Sequence, residues 1–452
     1  MTTVVLAHGV FDIIHPGHIA HLQQAKELGD TLVVSITADK YVRKGPGRPV
    51  FNEQQRRAVL ESLKFVDAVY ICDSTDALPA IDSLTPQIYA KGPDYADRTD
   101  GTFAREKAAV EKYGGRVAFT SGFTASSSAL INGHVRPASP QIVAIREKYG
   151  YSGVIGYLDL AAALTMFCAG EFIIDEYITV TPASKSAKEN LVVYRKGETN
   201  AWPGGIAAVA AHARGLGHPQ VDDTVGLLPP ITKTRYVDHP FGVKLFAVSN
   251  VAESNPPALE TWYPYKKAMR EAAVTLVVDY GHGMFPYEPN NLIVRAIRSN
   301  TKFLALTVQS NSLNMGYNFV TKWPSADYVV VDEPELRLAL RRQDGPVDAL
   351  VQELHERMRA RVTAITLGHR GCMVYDGKSF VTMPAMADKV VDRIGAGDAF
   401  LAATAGLAAV GAPIDIIALV GNVAGGLQVG VVGNSQPITR KGVERVLRSV
   451  LA

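Results

Sequence analysis

Short apolar runs closed by glycine or polar residues recur along this chain, and stretches with helical spacing separate them. Thr3–Ala7 is one such run, closed by Gly9, and it predicts a strand buried on both faces. His18–Leu28, ended by Gly29, predicts a helix. Thr31–Ile36, Ala68–Ile71 and Gln87–Ala90 predict further strands, and Glu53–Leu63 a second helix. Such alternation predicts an α/β fold with a parallel sheet and helices on both faces. Residues 134–150 read His-Val-Arg-Pro-Ala-Ser-Pro and then a charged, helix-like stretch, the composition of a linker. Beyond them a second α/β pattern places strands at Leu164–Cys168, Asn190–Arg195, Val243–Val248, Val274–Val278, Tyr328–Val331 and Val362–Leu367. The expected organisation is a first domain over 1–135, a linker or helix over 136–150 and a second domain over 151–452. Ala399–Ile414 is rich in Ala and Gly, carries Pro413 and stops at Asp415. It is shorter than the ~20 residues of a membrane span, so a packed core helix is expected.

The 452 residues are about three times a ~150-residue domain, in keeping with two or three domains. With 47% hydrophobic and 20% charged residues, disorder is excluded. The 46 basic and 44 acidic side chains leave +2, and dividing after residue 137 gives 15 against 15, then 31 against 29. Neither part is a polycation, which speaks against a nucleic-acid partner. Cys72, Cys168 and Cys372 lie far apart, which excludes a local disulfide or cysteine–zinc framework and favours a reducing compartment. Met1–His8 turns polar where a signal peptide would still be apolar. A cytoplasmic protein without a membrane partner is expected.

Candidate chemistry begins at Gly9-Val-Phe-Asp-Ile-Ile-His-Pro-Gly-His18, which follows a strand and opens a helix. Two histidines flanking Pro-Gly at a helix N-terminus bring imidazoles and free N–H groups to one anion. A nucleotide α-phosphate under in-line attack gains charge, and His15 and His18 are placed to stabilise it. Arg43-Lys44-Gly-Pro-Gly-Arg48 is a basic loop, Arg56 sits early in the next helix, and Lys91-Gly-Pro-Asp-Tyr95 follows a strand. Thr124-Ala-Ser-Ser-Ser128 offers hydroxyls and N–H groups at a predicted helix start. Together, residues 4–133 resemble the cytidylyltransferase-like nucleotidyltransferases, most closely the adenylyltransferase part of the bifunctional heptose kinase/adenylyltransferases. The resemblance implies a Rossmann-like domain that moves a nucleotidyl group from ATP or CTP to a sugar phosphate, with Mg²⁺ and release of pyrophosphate. It also implies His15 and His18 as catalytic residues, with Gly9, Phe11, Lys44, Arg56, Lys91, Ser126, Ser127 and Ser128 around the nucleotide. His21, one turn after His18, reads as a satisfied surface histidine.

A second candidate is Asp392-Arg-Ile-Gly395-Ala-Gly-Asp398, ahead of a small-residue helix. Its glycines let amides converge on a phosphate, and a carboxylate just inside the turn is placed to take a proton from a hydroxyl. Pro203-Gly204-Gly205, Thr366-Leu-Gly368-His-Arg-Gly371 and Gly170-Glu-Phe-Ile-Ile-Asp175 accompany it. Residues 164–450 resemble the ribokinase-like (PfkB) carbohydrate kinases. That implies a ribokinase-like α/β domain with a β-lid over Tyr177–Arg195 and Thr232–Asn250, and ATP as phosphoryl donor. Asp398 would be the base, and Gly395, Ala396 and Gly397 the anion hole. Asp332, Glu335, Gly368, Gly371 and Asn422 would border the nucleotide and its Mg²⁺. Asp175, at the end of a first strand, would meet the acceptor with Gly204 and Gly205. No short motif names a metal ligand directly, and lids of this kind imply a homodimer.

The sequence departs from that family at Ala208, where an asparagine is usual, and at Asp332-Glu-Pro-Glu335, where Asn-x-x-Glu is usual. Asp279-Tyr-Gly-His282-Gly283 carries His where heptose kinases have Lys, and Leu306–Asn314 lacks the usual Asp-Pro. These departures predict an acceptor with an altered polar group near Ala208 and less negative charge. The expected function is a bifunctional enzyme of nucleotide-sugar synthesis, acting on a heptose-phosphate-like substrate, with the domain order of the resembled enzymes reversed. Two alternatives stand beside it. One is a nucleotidyltransferase whose kinase-like domain serves as a ligand sensor or dimerisation module. The other is a cytidylyltransferase for a glycerol or polyol phosphate.

Overall fold

The computed structural model describes residues 2–42, 49–92, 101–120, 139–224, 227–239, 242–251, 257–286, 292–387 and 389–451. It divides into two compact units, the first ending at Ala138 and the second running from Ser139 to Leu451.

The first unit is built on five parallel strands, β1 (Val4–Gly9), β2 (Thr31–Thr37), β3 (Ala68–Cys72), β4 (Ile88–Lys91) and β5 (Arg116–Phe119). Their order is β3-β2-β1-β4-β5. Val5, Leu6 and Ala7 of the run that predicted β1 are fully buried because successive side chains enter different cores. Val5 and Ala7 pack with Leu22, Val34 and Leu60, while Leu6 packs with Ile81, Tyr89 and Val110. Helices Pro16–Glu27, Glu53–Glu61, Leu78–Leu84 and Gly101–Lys112 connect the strands. The chain turns in opposite directions from β1, so the crevice beyond the carboxyl end of β1 is the natural binding place of such a sheet.

The second unit opens with the helix Pro140–Ala162, N-capped by Ser139. Part of the stretch expected to link two domains is therefore a helix of this unit. Its main sheet has the order β17-β16-β15-β14-β13-β12-β6-β9. The strands are β6 (Met166–Gly170), β9 (Val221–Asp223), β12 (Val274–Asp279), β13 (Leu304–Val308), β14 (Tyr328–Asp332), β15 (Val362–Thr366), β16 (Cys372–Tyr375) and β17 (Phe380–Met383). All pairings are parallel except those of β16. A separate four-stranded sheet, β11-β10-β7-β8, forms the lid, from β7 (Phe172–Lys185), β8 (Val192–Gly205), β10 (Ile231–Asp238) and β11 (Lys244–Asn250).

Two expectations are corrected here. Gly170–Asp175 is not one strand, because β6 ends at Gly170 and the chain passes into β7 of the lid. Asp175 is thus a lid residue. The apolar stretch read as one helix over 399–414 ends at Ala409, and a second helix, Ile414–Gln428, begins after Pro413. Both are almost wholly buried, and their small residues permit close packing: a Cβ on Gly421 would collide with the Phe400 ring. Among the described residues no helix is long and apolar enough to cross a membrane.

Candidate functional site

In the first unit, the loop after β1 is shaped by Phe11, which holds a left-handed φ of 48°. A bulky residue kept there costs ~1–3 kcal/mol and marks a constrained turn. Asp12 fixes the turn, its Oδ1 accepting from the amides of Val50 (2.6 Å) and Phe51 (3.0 Å). His15 then N-caps the helix Pro16–Glu27, its Nδ1 accepting from the amide of His18 at 3.3 Å, with Pro16 at the first helical position. The two imidazoles stack at 3.8 Å, and Phe11 meets the His18 ring edge-on at 5.1 Å. Burial lowers the pKa of His15, and its Nε2 is buried without a hydrogen-bond partner among the described residues. An orphaned imidazole nitrogen beside a helix N-terminus is suited to an anion.

The second unit encloses a cavity of about 600 Å³ between the lid and the main sheet. Gly395, with φ 81°, caps the helix Ala396–Ala409, and Asp398 lies in its first turn facing the cavity. Asp398 is buried and its Oδ1 accepts from Gln309 Nε2 at 3.0 Å. Burial pushes its carboxyl up to about 7; Asp175 adds to the rise, and Tyr280, Lys233 and Gln309 oppose it. Across the cavity, Asp332 caps the helix Glu333–Leu340 in a reciprocal box with Glu335. Glu335 is driven to about 8 by burial and then by Asp332. Asp332 is also raised, chiefly by burial. Carboxyls crowded in this way would be relieved by a hard cation such as Mg²⁺, although among the described residues no group of three or more His, Cys, Asp or Glu forms a metal cluster.

Residues 6–134 match the cytidylyltransferase-like family, and residues 293–441 match the pfkB family of carbohydrate kinases. This chain joins a cytidylyltransferase-like domain to a PfkB domain. The N-terminal part is 44% identical over 117 residues to the bifunctional protein HldE of Syntrophotalea carbinolica and 41% over 130 residues to that of Pelobacter propionicus. These matches cover 25% and 28% of this chain and 23% and 26% of the relatives. The chain therefore spans about a quarter of the length of the curated relatives it matches. Ribokinase from Thermotoga maritima superposes with a TM-score of 0.50 at 17% identity, over 63% of this chain and 99% of its own. Phosphofructokinase-2 from Escherichia coli, in complex with potassium, gives 0.50 at 14%, over 64% and 99%. Both likenesses concern the fold.

In the cytidylyltransferase-like domain, Gly9 lies at the end of β1 with the Phe11 ring beside it, so His15, His18, Phe11 and Gly9 form one group. The expected cations behave differently. Arg56 is fully buried and donates to the carbonyls of Val10, Thr37 and Phe51 and to Asp39 Oδ1. Through these bonds it ties the loops together. Lys91 is buried and paired with Glu106 at 3.1 Å. That carboxylate offsets its charge within the domain. His21 Nδ1 meets Thr120 Oγ1 at 2.8 Å. Lys44, Ser126, Ser127 and Ser128 lie outside the described residues.

In the PfkB domain, Asp175, Gly205, Asp332, Glu335 and Asp398 border one cavity with the Gly395–Gly397 turn. Gly368, Gly371 and Asn422 line its other end. Asn422 donates its amide to Cys372 Sγ (2.9 Å) and to the Ala418 carbonyl (3.0 Å), which leaves its Oδ1 for the cavity. Gly204 is not among the lining residues; a Cβ there would collide with the Asp175 carboxylate, so its service is to make room. Ala208 is buried in the helix Ile206–Gly215 and does not line the cavity. His282 does not line it either, and burial and then Lys233 lower its pKa to about 4.

Sequence reading missed the lid cations. Lys233 and Arg235 stand two apart on β10, hence on one face, and both line the cavity. Arg235 pairs with Asp175 at 2.6 Å. The Lys233 ammonium has no ion pair or hydrogen bond among the described residues, and burial lowers its pKa. The signal was the Lys-x-Arg alternation in a predicted lid strand. Tyr280, Gln309 and Asn434 also line the cavity and were not anticipated.

Proposed function

We propose that the chain is a bifunctional enzyme. Its first domain transfers a nucleotidyl group from ATP or CTP to a sugar phosphate, and its second uses ATP to phosphorylate a sugar phosphate. The observation that carries this reading is the pairing of two helix mouths of different chemistry, imidazoles at Pro16 and a buried carboxyl at Asp398. In the first reaction the acceptor's phosphate is the nucleophile and attacks the α-phosphorus, while pyrophosphate leaves. His15, His18 and the amides at the helix start stabilise the charge gathered on the α-phosphoryl oxygens.

In the second reaction the nucleophile is a hydroxyl, which must lose its proton. Asp398 accepts it, and a carboxyl near 7 is suited to holding and releasing a proton at neutral pH. The amides of Gly395, Ala396 and Gly397 receive the transferred phosphoryl group at the positive end of the helix. Asp332 and Glu335 would hold Mg²⁺, which supplies charge neutralisation to the phosphates when bound. The Lys233 ammonium, which has no ion pair among the described residues and stands beside Arg235 on the lid, supports an anionic acceptor. A heptose phosphate is the leading candidate.

The three cysteines are free and buried, which supports a cytoplasmic setting. Exposed Val192, Val193, Phe246 and Val248 on the lid support pairing with a second copy. The test is a panel of ATP and CTP against sugars and sugar phosphates, with phosphoryl transfer and pyrophosphate release followed separately. Pyrophosphate release without phosphorylation of any acceptor would leave the second domain a sensor or dimerisation module.

A further inference from the structure

Asp392 lies six residues before Asp398, is buried, and does not line the cavity. It nonetheless gathers contacts from three parts of the unit. Oδ1 accepts from Lys244 Nζ at 2.6 Å and from the Ile394 amide at 3.1 Å. Oδ2 accepts from the Tyr177 hydroxyl at 2.6 Å and from the Gly433 amide at 3.1 Å. Burial alone would raise this carboxyl, but the bonds from Lys244, Tyr177 and Ile394 hold it below its usual range. It therefore stays charged and fully used.

The distribution of these partners is informative. Tyr177 belongs to β7 and Lys244 to the first position of the edge strand β11, so both come from the lid. The Ile394 amide belongs to the segment that becomes the Gly395–Gly397 turn. Gly433 precedes Asn434, whose Nδ2 donates to Asp175 of the lid at 2.9 Å. Asn434 also packs so closely on Gly395 that a Cβ there would strike its Oδ1. The lid is thus fastened to the turn through Asp392 and again through Asn434. The Lys244 ammonium also stands 5.3 Å from the centre of the Tyr177 ring.

We propose that Lys244 is a positioning residue for phosphoryl transfer. It fixes the Asp392 carboxylate, and through it the Ile394 amide and the turn that carries Asp398, so that seating the lid completes the anion hole. Lys244 does not line the cavity. This inference rests on the kinase reading above. It goes beyond it by assigning part of the rate to a side chain on the far edge of the lid.

The experiment compares wild type with Lys244→Met, which keeps the aliphatic stem, and with Lys244→Arg, which keeps the charge. A turn displaced by a fraction of an ångström should lower kcat for phosphorylation ~10- to 100-fold. The KM for ATP should change by less than ~3-fold, because the lost interaction acts on the transition state. Lys244→Arg should recover most of the rate. Amide hydrogen exchange over residues 389–400 should quicken in Lys244→Met, while the melting temperature stays within a few degrees, since Lys244 is half-exposed. A Lys244→Met enzyme within twofold of wild type in kcat overturns the inference, as does unchanged exchange over 389–400. A wild type that phosphorylates no acceptor removes the kinase reading itself, and this inference with it.

Discussion

At the mouth of Pro16–Glu27 the side chains that face the loop are imidazoles, whereas at the mouth of Ala396–Ala409 a carboxyl takes that place. Each helix N-terminus is suited to a phosphate, and on the proposed reading the difference answers to the nucleophile. A phosphate acceptor arrives ionised and needs no base. In the first domain the described carboxylates near the motif are indeed engaged elsewhere, Asp12 on two amides and Glu106 on Lys91, Tyr89 and the Ala77 amide. A hydroxyl acceptor carries a proton that must go somewhere, and the second domain keeps Asp398 buried, half-neutral and facing open cavity. The cations follow the same division. Arg56 and Lys91 are paired within the first domain, while the Lys233 ammonium has no ion pair among the described residues of the second.

The contrast breaks first if Asp398→Asn fails to separate the two reactions. Loss of a general base should lower phosphorylation ~10²- to 10⁴-fold with ATP binding kept. Pyrophosphate release should be untouched in the same sample. Replacing His15 and His18 together with Ala should do the reverse, lowering pyrophosphate release at least ~10²-fold while phosphorylation persists. Equal loss of both activities in a folded protein would contradict two independent sites.

Smaller effects sharpen the division among the cations. Arg56→Met leaves buried acceptors of the first domain unsatisfied, so that domain should lose ~2–4 kcal/mol in a denaturant titration. A stable Arg56→Met protein with only a raised KM for the nucleotide would instead favour Arg56 as a phosphate ligand. Lys233→Met should raise the KM of a phosphorylated acceptor ~10-fold, the size of one charged contact, and leave that of an unphosphorylated analogue alone. Steady-state kinetics on the paired acceptors reads this directly.

Much of this was legible from local pattern. β1, β2, β12 and β14 are short apolar runs consistent with buried parallel strands, and the two helix mouths follow from Pro-Gly-His18 and Gly395-Ala-Gly-Asp398. What escaped depends on partners far away in the chain. Arg56 looks like a free cation until Val10, Thr37 and Asp39 are seen around it. Asp175 seemed to end a core strand, because the passage from β6 to β7 is marked only by Gly170 and Glu171. Glu171 itself caps the amides of Tyr280 and His282, more than a hundred residues on. Ala208 and His282 seemed to redirect specificity, yet neither lines the cavity, while the lysine that does so lies in a lid strand with no motif of its own.

The proton of the acceptor is the point on which the two domains differ, and the pH dependence of the two reactions measures it. Asp398 is protonated below about 7, and a protonated base cannot accept. The wild-type phosphorylation rate should therefore fall with an acid limb near 7, approaching tenfold per pH unit as pH drops below it. In Asp398→Asn the residual phosphorylation should lose that limb, while pyrophosphate release should keep one profile in both proteins. An acid limb near 7 that survives in Asp398→Asn, or a profile of pyrophosphate release that changes with that substitution, would contradict the assignment of a separate base to the second domain.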